Sequence, residues 1–231
     1  MSRPLPGHRA LRASSGSPVT AEVLIDQLAA DLRPVPRRAV ARRLAARASL
    51  GMIASVALVA ATLGFRPDFP GALATPMFWV KLGYTLALGL VSLWALERLS
   101  RPATPARRRL RWLAVPVVLV VGLGVWHIGR AAGDQRLPVL VGATAALCPW
   151  RILAFSAPPF AALVPAVRGL APCNIRLAGA VLGLCAGGLG AAAYALACTE
   201  SGAPFLAAWY TLAIAGASAI GFLTAPWALR W

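Results

Sequence analysis

Residues 48–65 read ASLGMIASVALVAATLGF, eighteen consecutive positions without a charged side chain. As a helix they would rise about 27 Å, close to the thickness of a bilayer's hydrocarbon core, which takes roughly 17–25 apolar residues to cross. Five further stretches read the same way, at 77–96, 112–128, 148–167, 177–197 and 205–227. The fourth carries Arg151 and the pair Pro158-Pro159, and an apolar stretch at 137–147 precedes it. That stretch reads as an outer re-entrant or interfacial segment, or as part of a shifted span. The first run begins too far along the chain for the apolar region of a signal peptide, and nothing beside it resembles a cleavage site. The sequence therefore predicts an all-α fold, a polytopic membrane bundle of six transmembrane helices spanning 48–231.

Composition supports the bilayer from a different direction. Of 231 residues, 59% are hydrophobic and 13% charged, at a mean hydropathy of +0.70. Soluble domains run at about 45–50% apolar and about 25% charged, and disordered chains are poorer still in hydrophobic residues. A net charge of +16 would suggest nucleic acid in a soluble domain. Here its distribution matters more than its size. If the N-terminus is cytoplasmic, eighteen of the 23 basic residues fall in inner segments. The other five are Arg66, Lys81, Arg130, Arg136 and Arg151, outside or at outer helix ends. Lysine and arginine bias in short loops sets membrane orientation, so both termini are expected in the cytoplasm. The basic excess then serves topology and attraction to anionic lipid, with no direct nucleic-acid partner.

The tryptophans fit these spans. Trp79, Trp126, Trp150 and Trp209 fall near outer helix ends, and Trp94, Trp112, Trp227 and Trp231 near inner ones, as interfacial indoles should. Lys81, just inside the second span, reads as a lysine snorkelling to the outer interface, with a place on an ion pathway as the alternative. Gly179, Gly183 and Gly187, continued by Ala191, form a small-xxx-small stripe on the fifth helix. Such a stripe lets a neighbouring helix approach closely; packing within the monomer is the default and a homodimer face the alternative. Cys185 among these glycines reads as an inert core thiol.

Ahead of the first span the chain has two parts. Residues 1–19 are rich in Pro, Ser, Gly and Arg and are expected to be disordered. Residues 20–47 form a cytoplasmic arm and a basic juxtamembrane segment. Within it, Thr20 can cap a helix, Glu22 suits the dipole at its start, and Arg33-Pro34 stops it. Leu24, Leu28 and Leu32 recur every four residues with Ile25 beside them, an apolar face flanked by Glu22, Asp26 and Asp31. Three turns of helix are too short to stand alone in water. The leucine face therefore needs a groove in a partner, or else the protein's own inner loops or the lipid surface.

Chemistry is sparse. No nucleophile, base and orienting group fall together, His127 is the only histidine beyond the N-terminal tail, and no phosphate-cradling loop is visible; no enzyme and no cofactor are expected. Cys148 opens the fourth helix and Cys198 closes the fifth, and a short inner loop makes these helices antiparallel neighbours. Packed helix axes lie about 8–10 Å apart, whereas a disulfide needs Cα atoms within about 7 Å. A disulfide, a reactive thiol pair, a pair of soft-metal ligands and two unpaired thiols all remain open. A membrane thiol-disulfide oxidoreductase would need two communicating redox pairs, and the chain offers one. A small transporter would need polar residues along a mid-membrane path, and these are nearly absent.

The stretch Leu24-Ile25-Asp26-Gln27-Leu28-Ala29-Ala30-Asp31-Leu32-Arg33-Pro34-Val35 resembles the start of the NrsF-type membrane anti-sigma factors. These are negative regulators of an extracytoplasmic-function sigma factor in Proteobacteria. Arg66-Pro67-Asp68, Ala171-Pro172, Tyr194-Ala195-Leu196-Ala197-Cys198-Thr199-Glu200, Phe205-Leu206-Ala207-Ala208-Trp209-Tyr210 and the ending Leu229-Arg230-Trp231 follow in the family's order. The resemblance implies a stress-responsive switch in the bacterial inner membrane. Its arm, here Leu24, Ile25, Leu28, Asp31 and Leu32, would hold an extracytoplasmic-function sigma factor. Its outer cysteines, here Cys148 and Cys198, would govern release by sensing metal or oxidant. The family often has His before the second cysteine and Pro after it, where this chain has Ala197 and Thr199. That change removes a metal ligand or thiol-activating base.

Overall fold

In the computed structural model the described residues are Ile25, Ala30, 38–99, 111–170, Pro172 and 174–230. The chain divides into two compact units, Met1–Arg37 and Arg38–Trp231. Of the first, Ile25 and Ala30 are both helical and exposed. The other arm positions, Leu24, Leu28, Asp31 and Leu32, lie outside the described residues, as do the tail at 1–19 and Cys173.

The second unit is helical, with no strand among the described residues. It contains six helices long and apolar enough to cross a membrane. These are α1 (Ala39–Thr62), α2 (Pro76–Leu99), α3 (Arg111–Arg130), α4 (Cys148–Arg168), α5 (Ile175–Ala195) and α6 (Ala203–Ala228). The last five keep close to their expected limits. α1 begins nine residues ahead of its expected start at 48. No glycine or proline interrupts 39–50, so the helix carries on through Arg42, Arg43 and Arg47, with Leu44 and Ala48 already buried. Arg42, Arg43 and Arg47 thus lie on the first turns of the same helix. α1 ends where Gly64 takes a positive φ of 73° and its N–H turns back to Val59 O at 3.1 Å, the left-handed stop that glycine allows. α2 opens on Pro76 and α5 on Asn174, whose side chain accepts from Leu177 N at 2.9 Å; both are favoured helix starts.

α5 is the hub, and its small residues decide which helix lies on which side. A Cβ at Gly183 would come within 2.9 Å of the Ala217 carbonyl carbon, and one at Gly187 within 3.0 Å of Ala217 Cβ. Gly179 meets Gly221 and Ala225 in the same way, so the stripe packs on α6 inside the monomer. Gly188 meets Gly89 and the Thr85 carbonyl of α2, and Gly190 meets Ser156 of α4. Cys185 is fully buried in the apolar core. Backbones this close gain van der Waals contact, the main attraction between helices in lipid.

The prolines of α4 are answered by α1. Pro159 has no N–H, so the Phe155 carbonyl one turn earlier loses its helical partner. The buried Ser55 hydroxyl of α1 donates to that carbonyl instead, as an apolar medium requires. Gly51, one turn away on α1, rests against Pro159, where an added Cβ would lie 3.0 Å from the proline nitrogen.

The stretch at 137–147 forms no shifted span. It is a short helix, Arg136–Val141, and a turn that packs on the start of α6: Trp209 Nε1 donates to Leu140 O at 2.9 Å. Gly142 closes the turn at φ 60°.

Candidate functional site

The two cysteines at this end of the bundle share one buried cluster. Cys148 is the first residue of α4, and its N–H donates to Thr144 O at 2.9 Å. Cys198 lies in the turn after α5, its N–H donating to Tyr194 O at 3.0 Å. They are 0% and 4% exposed, are both free thiols, and pack with Tyr194, Phe205 and Tyr210. Each thiol lies within electrostatic range of Lys81, and Cys148 within range of Cys198.

Four charged residues assemble around them. Arg66, from the loop after α1, holds Asp68 through Nε and Nη2 at 2.7 and 2.6 Å. Its backbone N–H donates to Leu196 O at 3.3 Å, and its Nη1 reaches Cys198 O at 3.5 Å. The two-point bond lifts the guanidinium above its ordinary value and holds the Asp68 carboxyl below the usual carboxylate range. Lys81, on α2, donates to Cys198 O at 3.4 Å and to Glu200 O. Glu200 in turn accepts from Ala143 N at 2.9 Å and Thr144 Oγ1 at 3.3 Å.

The turn after Cys198 is thus fastened on two sides. Lys81 ties it to α2, and the Glu200 carboxylate ties it to the residues that start the Cys148 helix. Glycine at 142 is what lets the second tie close, since a Cβ there would lie 2.7 Å from the Phe205 ring and 2.9 Å from Glu200 Oε2.

Lys81 corrects its expected role. It does not snorkel: the residue is 2% exposed and its nitrogen lies 5.6 Å from the centre of the Tyr210 ring. The carbonyls that follow the last turn of α5 have no helical donors, and the ammonium meets them. The Tyr210 hydroxyl, also buried, has no hydrogen-bond partner among the described residues; the Cys198 side chain lies beside it.

Arg66, Lys81 and Glu200 were not singled out as site residues. The available signal was Lys81 itself, since an ionisable residue within a span marks a functional site by default. His127, exposed on α3, bonds back to Leu123 O at 3.2 Å. Among the described residues no three His, Cys, Asp or Glu side chains converge as a metal site would require. The thiol pair alone offers two soft ligands.

A family model described as "NrsF: Negative regulator of sigma F" matches residues 28–231. The anti-sigma-F factor NrsF of Caulobacter vibrioides is 41% identical over 211 residues, covering 90% of this chain and 98% of that one. A probable anti-sigma-F factor NrsF of Azospira oryzae is 38% identical over 215 residues, covering 91% and 99%. No solved structure matches.

Proposed function

From the premise that this chain belongs to the NrsF family, the negative regulators of sigma F, we propose that it sequesters an extracytoplasmic-function sigma factor at the bacterial inner membrane and releases it on a signal received at the thiol pair. The family match carries this reading, because it begins at residue 28, inside the arm, and continues through all six spans. Leu24, Ile25, Leu28 and Leu32 form the apolar face offered to the sigma factor, with Asp31 at its flank. An acidic amphipathic helix suits a protein groove better than an anionic lipid surface. The basic residues of the inner segments hold both termini in the cytoplasm, which puts Cys148 and Cys198 on the oxidising side. There the two sulfurs would serve as ligands for a soft metal ion, each thiol giving up its proton, or would yield two electrons and two protons to an oxidant and become a disulfide.

Either event draws the start of α4 toward the turn after α5. The two sites lie a membrane thickness apart, so coupling requires a bundle with two arrangements. The ties at Lys81 and Glu200 hold one of them.

Co-purification tests the function. Tagged full-length protein and a Leu28→Asp variant are extracted from native cells in mild detergent, and bound proteins are identified by mass spectrometry. A sigma factor is expected with the first and not with the second. Equal recovery would move the binding site to the inner loops, and recovery with neither, at normal insertion, would overturn the anti-sigma reading. Cys148→Ser and Cys198→Ser address the signal: each should change induction of the sigma factor's genes while insertion is unaltered.

A further inference from the structure

α6 does not begin as an ordinary α-helix. After Ala203–Phe205 comes one turn of π-helix, Leu206–Tyr210, and the α-helix resumes at Thr211. A π turn closes its hydrogen bonds across one residue more than an α turn, so the helix holds one surplus residue there. No proline lies within 206–210 to force it. Its faces are all in use. Ala207 faces α3, where a Cβ at Gly124 would come within 3.0 Å of Ala207 Cβ. Trp209 holds Leu140 O, and Tyr210 packs into the cluster that contains Cys148 and Cys198. The buried Tyr210 hydroxyl has no hydrogen-bond partner among the described residues, and a buried polar group left so is costly. The π turn is therefore held by its surroundings and not by its own bonds.

The surplus residue lies close to an exit. Only three α-helical residues precede it, and Pro204 among them has no N–H to lose; the N–H groups of a first turn lack helical partners in any case. One residue passed back into 198–202 would lengthen that segment by up to about 3.5 Å. Packed helix axes lie about 8–10 Å apart and a disulfide needs Cα atoms within about 7 Å, a shortfall of about 1–3 Å between helix ends. We propose that the π turn of α6 is a one-residue reserve: when Cys148 and Cys198 are drawn together, the segment 198–202 takes up the surplus residue and Leu206–Tyr210 becomes α-helix. One residue of α-helix is about 100° of rotation, so the faces of the turn exchange. Trp209 leaves Leu140 O, Tyr210 leaves the thiols and Ala207 leaves Gly124. α3, 11% of which is buried, moves with them. The reserve supplies the second arrangement that the sensing reading requires, and rests on that reading for its use in the cell.

The full chain in detergent is treated with diamide, a neutral diazene. One sulfur adds to the N=N bond and the other displaces the reagent from it. An S–S bond forms, both S–H bonds break, and the two electrons and two protons end on the reagent as a hydrazine. The Cys148–Cys198 bridge is read by mass spectrometry of unreduced peptides. Its rate is expressed relative to N-ethylmaleimide labelling of the same thiols, so that a change in access alone leaves the value unaltered. Deleting Ala208 removes the surplus residue and leaves both flanks of the turn in register. Bridging should then slow by about a hundredfold, the scale on which about 1 Å of misplacement slows a reaction between held groups. A glycine inserted between Ser201 and Gly202 of the deletion variant should restore it, because the length returns where the segment needs it.

Bridging of the deletion variant at the parent rate would overturn the proposal. So would a parent protein that does not bridge, or an inserted glycine that restores nothing. Should the deletion variant fail to insert, the parent decides alone: bridging must change deuterium uptake by the backbone at 206–210, and unchanged uptake there overturns the reserve. If bridging behaves as expected while neither cysteine variant alters induction, the sensing reading fails and the reserve stands.

Discussion

α3 and α5 are both apolar enough to span a bilayer, and α3 is the more apolar of the two, yet 11% of one is buried and 83% of the other. The difference lies in side-chain size. α3 reads AVPVVLVVGLGVWHIGR after its opening turn, dominated by valine and leucine, whereas α5 reads IRLAGAVLGLCAGGLGAAAYA. In lipid a bulky apolar side chain gains nothing by facing another helix rather than an acyl chain, so hydrophobicity does not choose the centre of the bundle. Small residues do, because they let backbones approach. α5 carries glycines toward α2, α4 and α6 and so takes all three as neighbours. α3 presents Val118, Leu119 and Val125 outward.

The contrast breaks most sharply at Gly183. Gly183→Leu places a side chain where Ala217 and Ser218 of α6 already stand. Neither backbone can yield without separating the two helices. Overpacking of this kind costs typically 1–3 kcal/mol and sometimes more; the expected loss is about 3 kcal/mol, with much of the protein failing to insert. Unfolding in mixed detergent and sodium dodecyl sulfate would measure it. A stable variant would mean that α5 and α6 do not touch at Gly183 and Ala217.

A smaller effect sharpens the comparison on a different face. Ser55→Ala removes the hydroxyl that satisfies the Phe155 carbonyl freed by Pro159. Interhelical hydrogen bonds within membranes are worth about 0.6 kcal/mol on average and up to about 1.7. With no water to replace the donor, a loss of about 1 kcal/mol is expected in the same unfolding assay. No loss would mean that a different donor reaches the carbonyl.

The spans were legible because length and absence of charge suffice to recognise them, and the stripe at Gly179, Gly183 and Gly187 because its period of four is visible on one helix. Gly188 and Gly190 were not, since their partners, Thr85 and Gly89 on α2 and Ser156 on α4, lie far off in sequence and show no common period. Ser55 meets Phe155 across a hundred positions, and its role exists only because a proline happens to sit one turn beyond that carbonyl. The helix of α1 starts nine residues ahead of the apolar run because arginines end an apolar run without ending a helix. At the candidate site the cysteines and the segments bearing them could be read directly. The behaviour of Lys81 could not, because spacing along α2 does not say which carbonyls will lie opposite its nitrogen.

The smallest effect is the most informative about α3. A Cβ at Gly122 would meet nothing within 4 Å, so Gly122→Leu adds a side chain on open helix surface, where lipid can close around it. Removing a glycine from a helix interior is favourable by about 1 kcal/mol in water, and less is expected where the bilayer already enforces the helix. The variant should therefore unfold within about 0.5 kcal/mol of the parent and keep its sigma factor in the co-purification. A loss approaching that of Gly183→Leu would mean that this face of α3 is covered by a second copy of the chain or by another membrane protein. Its low burial would then reflect a missing neighbour rather than exposure to lipid. An unchanged variant would leave size, and not hydrophobicity, as the property that separates the central helix from the peripheral one.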